Sequence, residues 1–144
     1  MTLRVRWLGR VDYSDALALQ RALCAGTDDY LLLLEHPHTY TMGVRADAAN
    51  ILVDPHDVGA RLVRADRGGD VTYHGPGQLV GYPILTLADH AAGEMPSTRA
   101  HVLNIEHLVI EALADLGLPG ASVIEGSPGV WLDADGHRPR KIAA

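Results

Sequence analysis

The segment Arg67-Gly68-Gly69-Asp70-Val71-Thr72-Tyr73-His74-Gly75-Pro76-Gly77-Gln78 constrains the fold of this 144-residue chain more than any other stretch. It sets four glycines, one proline, one arginine and one histidine into twelve residues, between two runs that read as strands. A plain turn needs one or two permissive residues, so the excess points to sharp bends, to close backbone approach, or to both. Pro76 followed by Gly77 suits the two central positions of a type II turn, the second of which takes a positive φ. Gly68-Gly69 lets the backbone come up to a ligand with no Cβ in the way. Arg67 brings charge, His74 a switchable donor or acceptor, and Tyr73 an amphipathic ring. An ornate turn with solvent-facing polar groups and a loop built to admit a ligand both fit this composition. A nucleotide P-loop would need Gly-Lys-Ser or Gly-Lys-Thr, and a dinucleotide fold would need glycines opening a helix; neither is present.

Periodicity supplies the surroundings. Leu3, Val5 and Trp7 alternate with Thr2, Arg4 and Arg6, which predicts a half-buried strand over 3–8 with the apolar set inward. Ser14 or Asp15 is predicted to cap a helix running to about residue 25 and stopped by Gly26. Tyr30-Leu31-Leu32-Leu33-Leu34-Glu35 is too short an apolar run for a typical helix and reads as a strand buried on both faces, ending at Pro37. A polar strand-to-loop segment follows. Residues 62–66 lead into the glycine-rich segment, and 79–87 lead out of it with strand character. From Ser97 to about Leu116, the residues Val102, Ile105, Val109, Leu113 and Leu116 recur at helical spacing, widened by Leu108 and Ala112, with Gly117 as the stop. Residues 129–133 and 138–144 flank Ala134-Asp135-Gly136, a hairpin signal. Strands and helices mix without regular alternation, which predicts a single α+β domain with a mixed sheet flanked by helices.

Composition narrows the function. The chain is 47% hydrophobic and 21% charged with a formal net charge of -6, the profile of a soluble globular protein, and the acidic balance argues against nucleic acid as a partner. The first ten residues lack the apolar core of a signal peptide and no window approaches a membrane span, so a cytoplasmic protein with no membrane partner is expected. The single cysteine, Cys24, excludes an internal disulfide and reads as a small buried thiol on the first helix. His36 and His38 flank Pro37 with no cysteine or second pair to complete a metal site, and His56, His90, His101, His107 and His137 are scattered; no metal is expected. Of the twelve basic residues eleven are arginines, and the one lysine is Lys141. Taken alone, Lys141 reads either as a solvated surface residue left by an arginine bias or as a residue kept for its chemistry.

The glycine-rich segment resembles the signature of the lipoyl(octanoyl) transferase family, Arg-Gly-Gly-x-x-Thr-aromatic-His-Gly-Pro-Gly-Gln, at every specified position. Further stretches agree in the same order: Leu34-Glu35-His36-Pro37 with Tyr40-Thr41-Met42-Gly43, then Leu79-Val80-Gly81-Tyr82-Pro83, then Pro128-Gly129-Val130-Trp131 leading to Lys141-Ile142-Ala143-Ala144. The resemblance implies a fold shared with biotin and lipoate ligases. It also implies transfer of an octanoyl group from the thioester of acyl carrier protein to a lysine of a lipoyl domain, in the 2-oxoacid dehydrogenase complexes or the glycine cleavage H protein, with no cofactor. By the same resemblance, Arg67, Gly68, Gly69, Asp70, Val71, Thr72, Tyr73 and His74 form one acyl-substrate-binding segment and Ala144 begins a second. Lys141 matches the family lysine that partners a cysteine nucleophile. An ammonium beside a thiol favours the thiolate, and splitting the transfer through an acyl-cysteine gives ping-pong kinetics.

The family's cysteine lies downstream of Lys-Ile-Ala-Ala, and Cys24 matches no family motif, so the resemblance implies that residues 1–144 are the N-terminal part of one catalytic domain, inactive alone. Such a part is expected to expose sheet edges and to self-associate or dissolve poorly. An ATP-dependent lipoate ligase shares the fold and the lysine but usually carries a Ser-Gly-Gly-Gly-Ala-Val-aromatic-His loop, and a non-catalytic acyl- or carrier-binding remnant is the third reading. Arg61, Arg64, Arg67, Arg138, Arg140 and Lys141 are expected to form a local basic face for an acidic carrier protein.

Overall fold

A computed structural model describes residues 2–86 and 98–144, and the chain divides into two compact units, Met1–Leu87 and Ala88–Ala144. Leu87, His90 and Ser97, each part of a sequence-based expectation, lie outside the described residues. No helix among those described is long and apolar enough to cross a membrane.

The first unit runs β1 (Leu3–Arg10), α1 (Tyr13–Cys24), β2 (Asp29–Glu35), β3 (Thr39–Met42), β4 (Arg61–Arg64), β5 (Val71–His74) and β6 (Val80–Ile84). These strands form two three-stranded sheets, in the orders β1-β2-β6 and β4-β3-β5. In each sheet the middle strand has one parallel and one antiparallel neighbour, so the mixed pairing expected of the α+β class is present in both. Parallel strands cannot be joined by a hairpin, and α1 supplies the crossover between β1 and β2.

Alternation decides which side of β2 is covered. Leu32 and Leu34 are fully buried and register with Tyr82 and Val80 of β6, while Leu31 and Leu33 on the opposite face are half-buried. The expectation of a strand buried on both faces is therefore corrected to burial on one. Helix α1 packs against β6, with Ala16 fully buried, and so serves the Leu32 face. Val5 and Trp7 pair with Leu31 and Leu33 on the other face. Leu3, Val5 and Trp7 are 50%, 50% and 62% exposed, not inward as their alternation predicted, because β1 is an edge strand and α1 lies on the far side of the sheet.

Helix α1 begins earlier than predicted, with Asp12 rather than Ser14 or Asp15 at its N-cap. The Asp12 carbonyl accepts the Ala16 amide at 3.0 Å, and its carboxylate pairs with Arg61 at 3.3 Å instead of capping. The glycine-rich segment is also not one loop. Val71–His74 inside it is a strand, paired antiparallel with β3, and the glycines fall in the bends on either side. The second bend is the predicted type II turn: Gly77 has φ 84° and the Gln78 amide reaches the Gly75 carbonyl at 3.0 Å.

The second unit contains α2 (Thr98–Asp115), β7 (Ser122–Ile124), β8 (Ser127–Leu132) and β9 (Arg140–Ala143), the strands forming an antiparallel sheet in the order β7-β8-β9. Gly117 ends the helix at φ 85°, and the Leu118 amide returns to the Leu113 carbonyl at 2.8 Å. Along the helix Ile105, Val109 and Leu113 are half-buried, but Val102, Leu108 and Leu116 are exposed, correcting the wider stripe expected. The helix outruns the short strands it packs on, and its most buried residue is a carboxylate, Glu106. The predicted hairpin joins β8 to β9, closed by the Gly136 amide on the Asp133 carbonyl at 2.9 Å.

Candidate functional site

In the first unit the site grows from the contact between β3 and the bend that precedes β5. Arg67 is turned inward. Its Nη2 donates to the Thr41 carbonyl at 2.8 Å and to Thr41 Oγ1 at 2.7 Å, its Nε to the same hydroxyl at 3.3 Å, and its Nη1 to the Gly68 carbonyl at 2.9 Å. Thr41 is fully buried, so this guanidinium acts as a clamp between the bend and the middle strand. Gly43 completes the seam. A Cβ there would stand 2.5 Å from the Gly69 carbonyl oxygen and 2.9 Å from that of Gly68, so only glycine lets the two backbones close.

Asp70 holds the other side of the bend: its carboxylate accepts the Asp47 amide at 3.0 Å and the Asn50 side-chain amide, and its carbonyl takes the Gly43 amide at 3.1 Å. The result leaves Gly68 and Gly69 exposed, their amides without a partner among the described residues. Val71 and Thr72 are half-buried along β5, and the exposed Tyr73 hydroxyl meets His38 Nδ1.

His74 is the residue on which most contacts converge. The Gln78 amide donates to the Tyr73 carbonyl at 3.2 Å, which turns its oxygen toward His74 Nδ1 at 2.9 Å, so Nδ1 carries the proton. Nε2 then faces the Thr41 hydroxyl at 3.5 Å. Tyr13 stacks on the His74 ring with centroids 6.2 Å apart, and His36 meets it edge-on at 5.6 Å. Burial pushes the His74 pKa below its ordinary value, opposed by the Gln78 bond and helped by the neighbouring His36 and Arg67.

Beneath lies a second fixed imidazole. His36 is fully buried; its Nδ1 donates to the Val11 carbonyl at 2.7 Å, so Nε2 accepts from the Tyr82 hydroxyl at 2.9 Å. Burial raises the Tyr82 pKa to about 12, which keeps the proton that this bond needs. His36 and His38, separate in role, share no ligand position.

In the second unit Lys141 lies on β9 directly across from Trp131 of β8. Its Nζ donates to the Pro128 carbonyl at 2.8 Å and sits 4.6 Å from the centre of the Trp131 ring, so it is anchored rather than freely solvated. Ala144 follows, exposed, beyond the end of β9. The segment 67–74 thus belongs to the first unit, and Lys141 and Ala144 to the second. Of the six residues of the expected basic face, Arg61 pairs with Asp12, Arg67 is occupied by Thr41, and Arg140 pairs with Asp133 at 3.4 Å.

Cys24 is exposed, not buried as its residue type suggested, because it ends α1 on the solvent side. Sequence reasoning passed over Thr41, Gly43 and Glu106. The first two lay inside a quoted motif with nothing local to assign them a partner. Glu106 reads as an ordinary charge on a helix, yet it accepts the Gly129 amide.

Residues 12–144 match the family described as Lipoyl protein ligase A/B catalytic domain. The chain is 48% identical over 147 residues to an octanoyltransferase of Mycolicibacterium gilvum (strain PYR-GCK), a match covering 99% of this chain and 58% of that protein. Among solved structures, its fold is similar to lipoate-protein ligase A bound with ATP, with TM-score 0.71 at 21% identity over 90% of this chain and 53% of that one. It is also similar to the bi-partite lipoate protein ligase studied with its E2 lipoyl domain from Thermoplasma acidophilum, with TM-score 0.64 at 22% identity over 98% and 54%. The chain therefore spans little more than half the length of the proteins it matches.

Proposed function

The chain belongs to the lipoyl protein ligase A/B catalytic-domain family, and from that premise we propose that it serves octanoyl transfer from acyl carrier protein to lipoyl-domain lysines in the cytoplasm. The observation that carries the reading is the 48% identity to an octanoyltransferase over nearly the whole chain. The glycine-rich segment agrees, carrying Gly-Gly-Asp-Val-Thr-Tyr-His-Gly-Pro-Gly-Gln where a ligase usually carries a different loop. The acceptors are the lipoyl domains of 2-oxoacid dehydrogenase complexes or the glycine cleavage H protein.

In this reading the segment from Arg67 to His74 contacts the acyl thioester, and Ala144 begins a second acyl-binding segment. Arg67 acts from behind, fixing the bend, and the exposed Gly68 and Gly69 amides are donors for the thioester carbonyl. Lys141 stands beside the cysteine that follows Lys-Ile-Ala-Ala in the resembled family. The cysteine thiolate attacks the octanoyl thioester, forming acyl-cysteine as the carrier C–S bond breaks, and the Lys141 ammonium gives its proton to the departing carrier thiolate. The acceptor amine then attacks the acyl-cysteine, the C–S bond breaks to return the cysteine thiolate, and neutral Lys141 takes the proton the amine loses as the amide forms, restoring the ammonium.

A chimera tests this: residues 1–144 joined to the C-terminal remainder of the Mycolicibacterium gilvum relative, supplied with octanoyl-acyl carrier protein and an apo lipoyl domain. Octanoylation without ATP is expected, and Lys141→Ala should lower it by about 10²–10⁴-fold. Octanoylation that requires ATP and free octanoate would make the chain a ligase; carrier binding with no turnover would make it a binding remnant.

A further inference from the structure

The geometry points to Glu106 as the residue that positions Lys141, acting through the peptide group between Pro128 and Gly129. The inference rests on Lys141 being the lysine of acyl transfer, but its geometry stands apart from turnover.

Glu106 is 8% exposed on α2, and its Oε1 accepts the Gly129 amide at 2.5 Å. A buried carboxylate needs such a partner, and a bond to a charged group is stronger than one between neutral groups. The carbonyl of the same peptide unit, that of Pro128, accepts the Lys141 ammonium at 2.8 Å. Among the described residues no peptide bond is cis, so the C=O and N–H of this unit point in opposite directions. The carboxylate holds one end of the plane and the ammonium the other. Both charges polarise the peptide in the same sense, so each bond strengthens its counterpart.

Gly129 makes the arrangement possible. Its φ is 121°, and a Cβ would stand 2.6 Å from the Ala143 carbonyl oxygen and 3.2 Å from Lys141 Cε. The lysine stem therefore lies across the space that a side chain would fill. Trp131 floors that space, its indole N–H fixed on the Ser127 carbonyl at 3.0 Å and its ring under Lys141 Nζ. Without Glu106 nothing in this set aims the Pro128 carbonyl, and the ring face alone, a weak contact for an exposed ammonium, does not hold the lysine stem over Trp131.

Lys141 is the one lysine of the chain, so labelling lysine with ¹³C at Cε yields a single lysine signal. In the native 144-residue chain this signal should be displaced from the free-lysine position by the Trp131 ring current. Glu106→Ala should return it to the free-lysine position. Glu106→Met, similar in volume but with no oxygen acceptor, should do the same if alanine unfolds the helix. Glu106→Gln, which keeps an acceptor oxygen, should hold most of the displacement. Val109→Ala, a packing loss on the same helix, should leave it unchanged. A signal still displaced in both Glu106→Ala and Glu106→Met, or one lost equally in Val109→Ala, overturns the assignment. The readout needs no substrate, so failure of the octanoyl-transfer reading would show in the chimera assay and not here.

Discussion

His74 shows how much a single side chain can be made to report. Its ring is packed between Tyr13 and His36, and its two nitrogens are assigned by Gln78 and Thr41. Burial is the main reason its pKa lies below the ordinary value of 6.5, so the neutral form is the one the fold accommodates. In the unfolded chain His74 takes up a proton as pH falls through about 6.5, whereas in the native chain it does so only at lower pH. The unfolded state then binds more protons, so the contribution is intact above pH 6.5 and is lost as pH falls from there through the native pKa. The melting temperature should decline from pH 7 to 5, and His74→Gln should make that decline shallower. Calorimetry on both proteins across that range checks it; parallel profiles would remove His74 as a source of the pH dependence. For the proposed chemistry, the same shift means that His74 borders the acyl-binding segment at pH 7 as a neutral imidazole fixed in one tautomer, its Nδ1 proton held by Gln78.

Strand β3 carries the first unit's share of the site, because both of its edges are paired and its Thr41, with Gly43 just past its end, receives the glycine-rich bend. Thr41→Val keeps the shape and removes the hydroxyl that accepts Arg67, leaving a half-buried guanidinium short of a partner. A hydrogen bond to a charged group is worth about 1.5–3 kcal/mol, so urea unfolding should show a loss near 2 kcal/mol, largely restored in Thr41→Ser. A loss below about 0.5 kcal/mol would mean that the bonds to the Thr41 and Gly68 carbonyls hold Arg67 without the hydroxyl. Local pattern was enough to read α1, α2, β1, β2, the Pro76–Gly77 turn and the β8–β9 hairpin, since each depends on periodicity or on a turn residue within a few positions. It was not enough for β5, whose four residues sit between glycines and become a strand only because β3 offers its edge. Nor did it reach Thr41, 26 residues from Arg67, or Glu106, 23 residues from Gly129, because such pairings are set by packing and leave no mark on neighbouring residues. The glycine-rich signature was legible as a motif, while the backbone seam that its Gly68 and Gly69 carbonyls make against Gly43 required the fold.

Across the whole molecule, apolar surface is distributed unevenly. The buried apolar residues are few, chiefly Ala16, Leu32, Leu34 and Met42 in the first unit and Ala121 and Val130 in the second. By contrast, Leu3, Val5 and Trp7 lie exposed along one face of β1, which is also the open edge of its sheet. An edge strand offers unpaired backbone groups, and an apolar row beside them is the usual template for pairing with another chain. The net charge of -6 provides some mutual repulsion, but screening at physiological salt confines it to about 8 Å, too short to protect an apolar face in contact. Arg4 and Arg6 point to the other side of the strand and do not interrupt the row. The 144-residue chain should therefore associate with rising concentration, more at high salt than at low. Trp7→Lys should shift it toward monomer by placing a charge in the middle of the row, and Arg6→Lys, on the opposite face, should not. Sedimentation equilibrium at two salt concentrations separates these outcomes, and a native chain that stays monomeric throughout would show that the β1 face is not an adhesive surface.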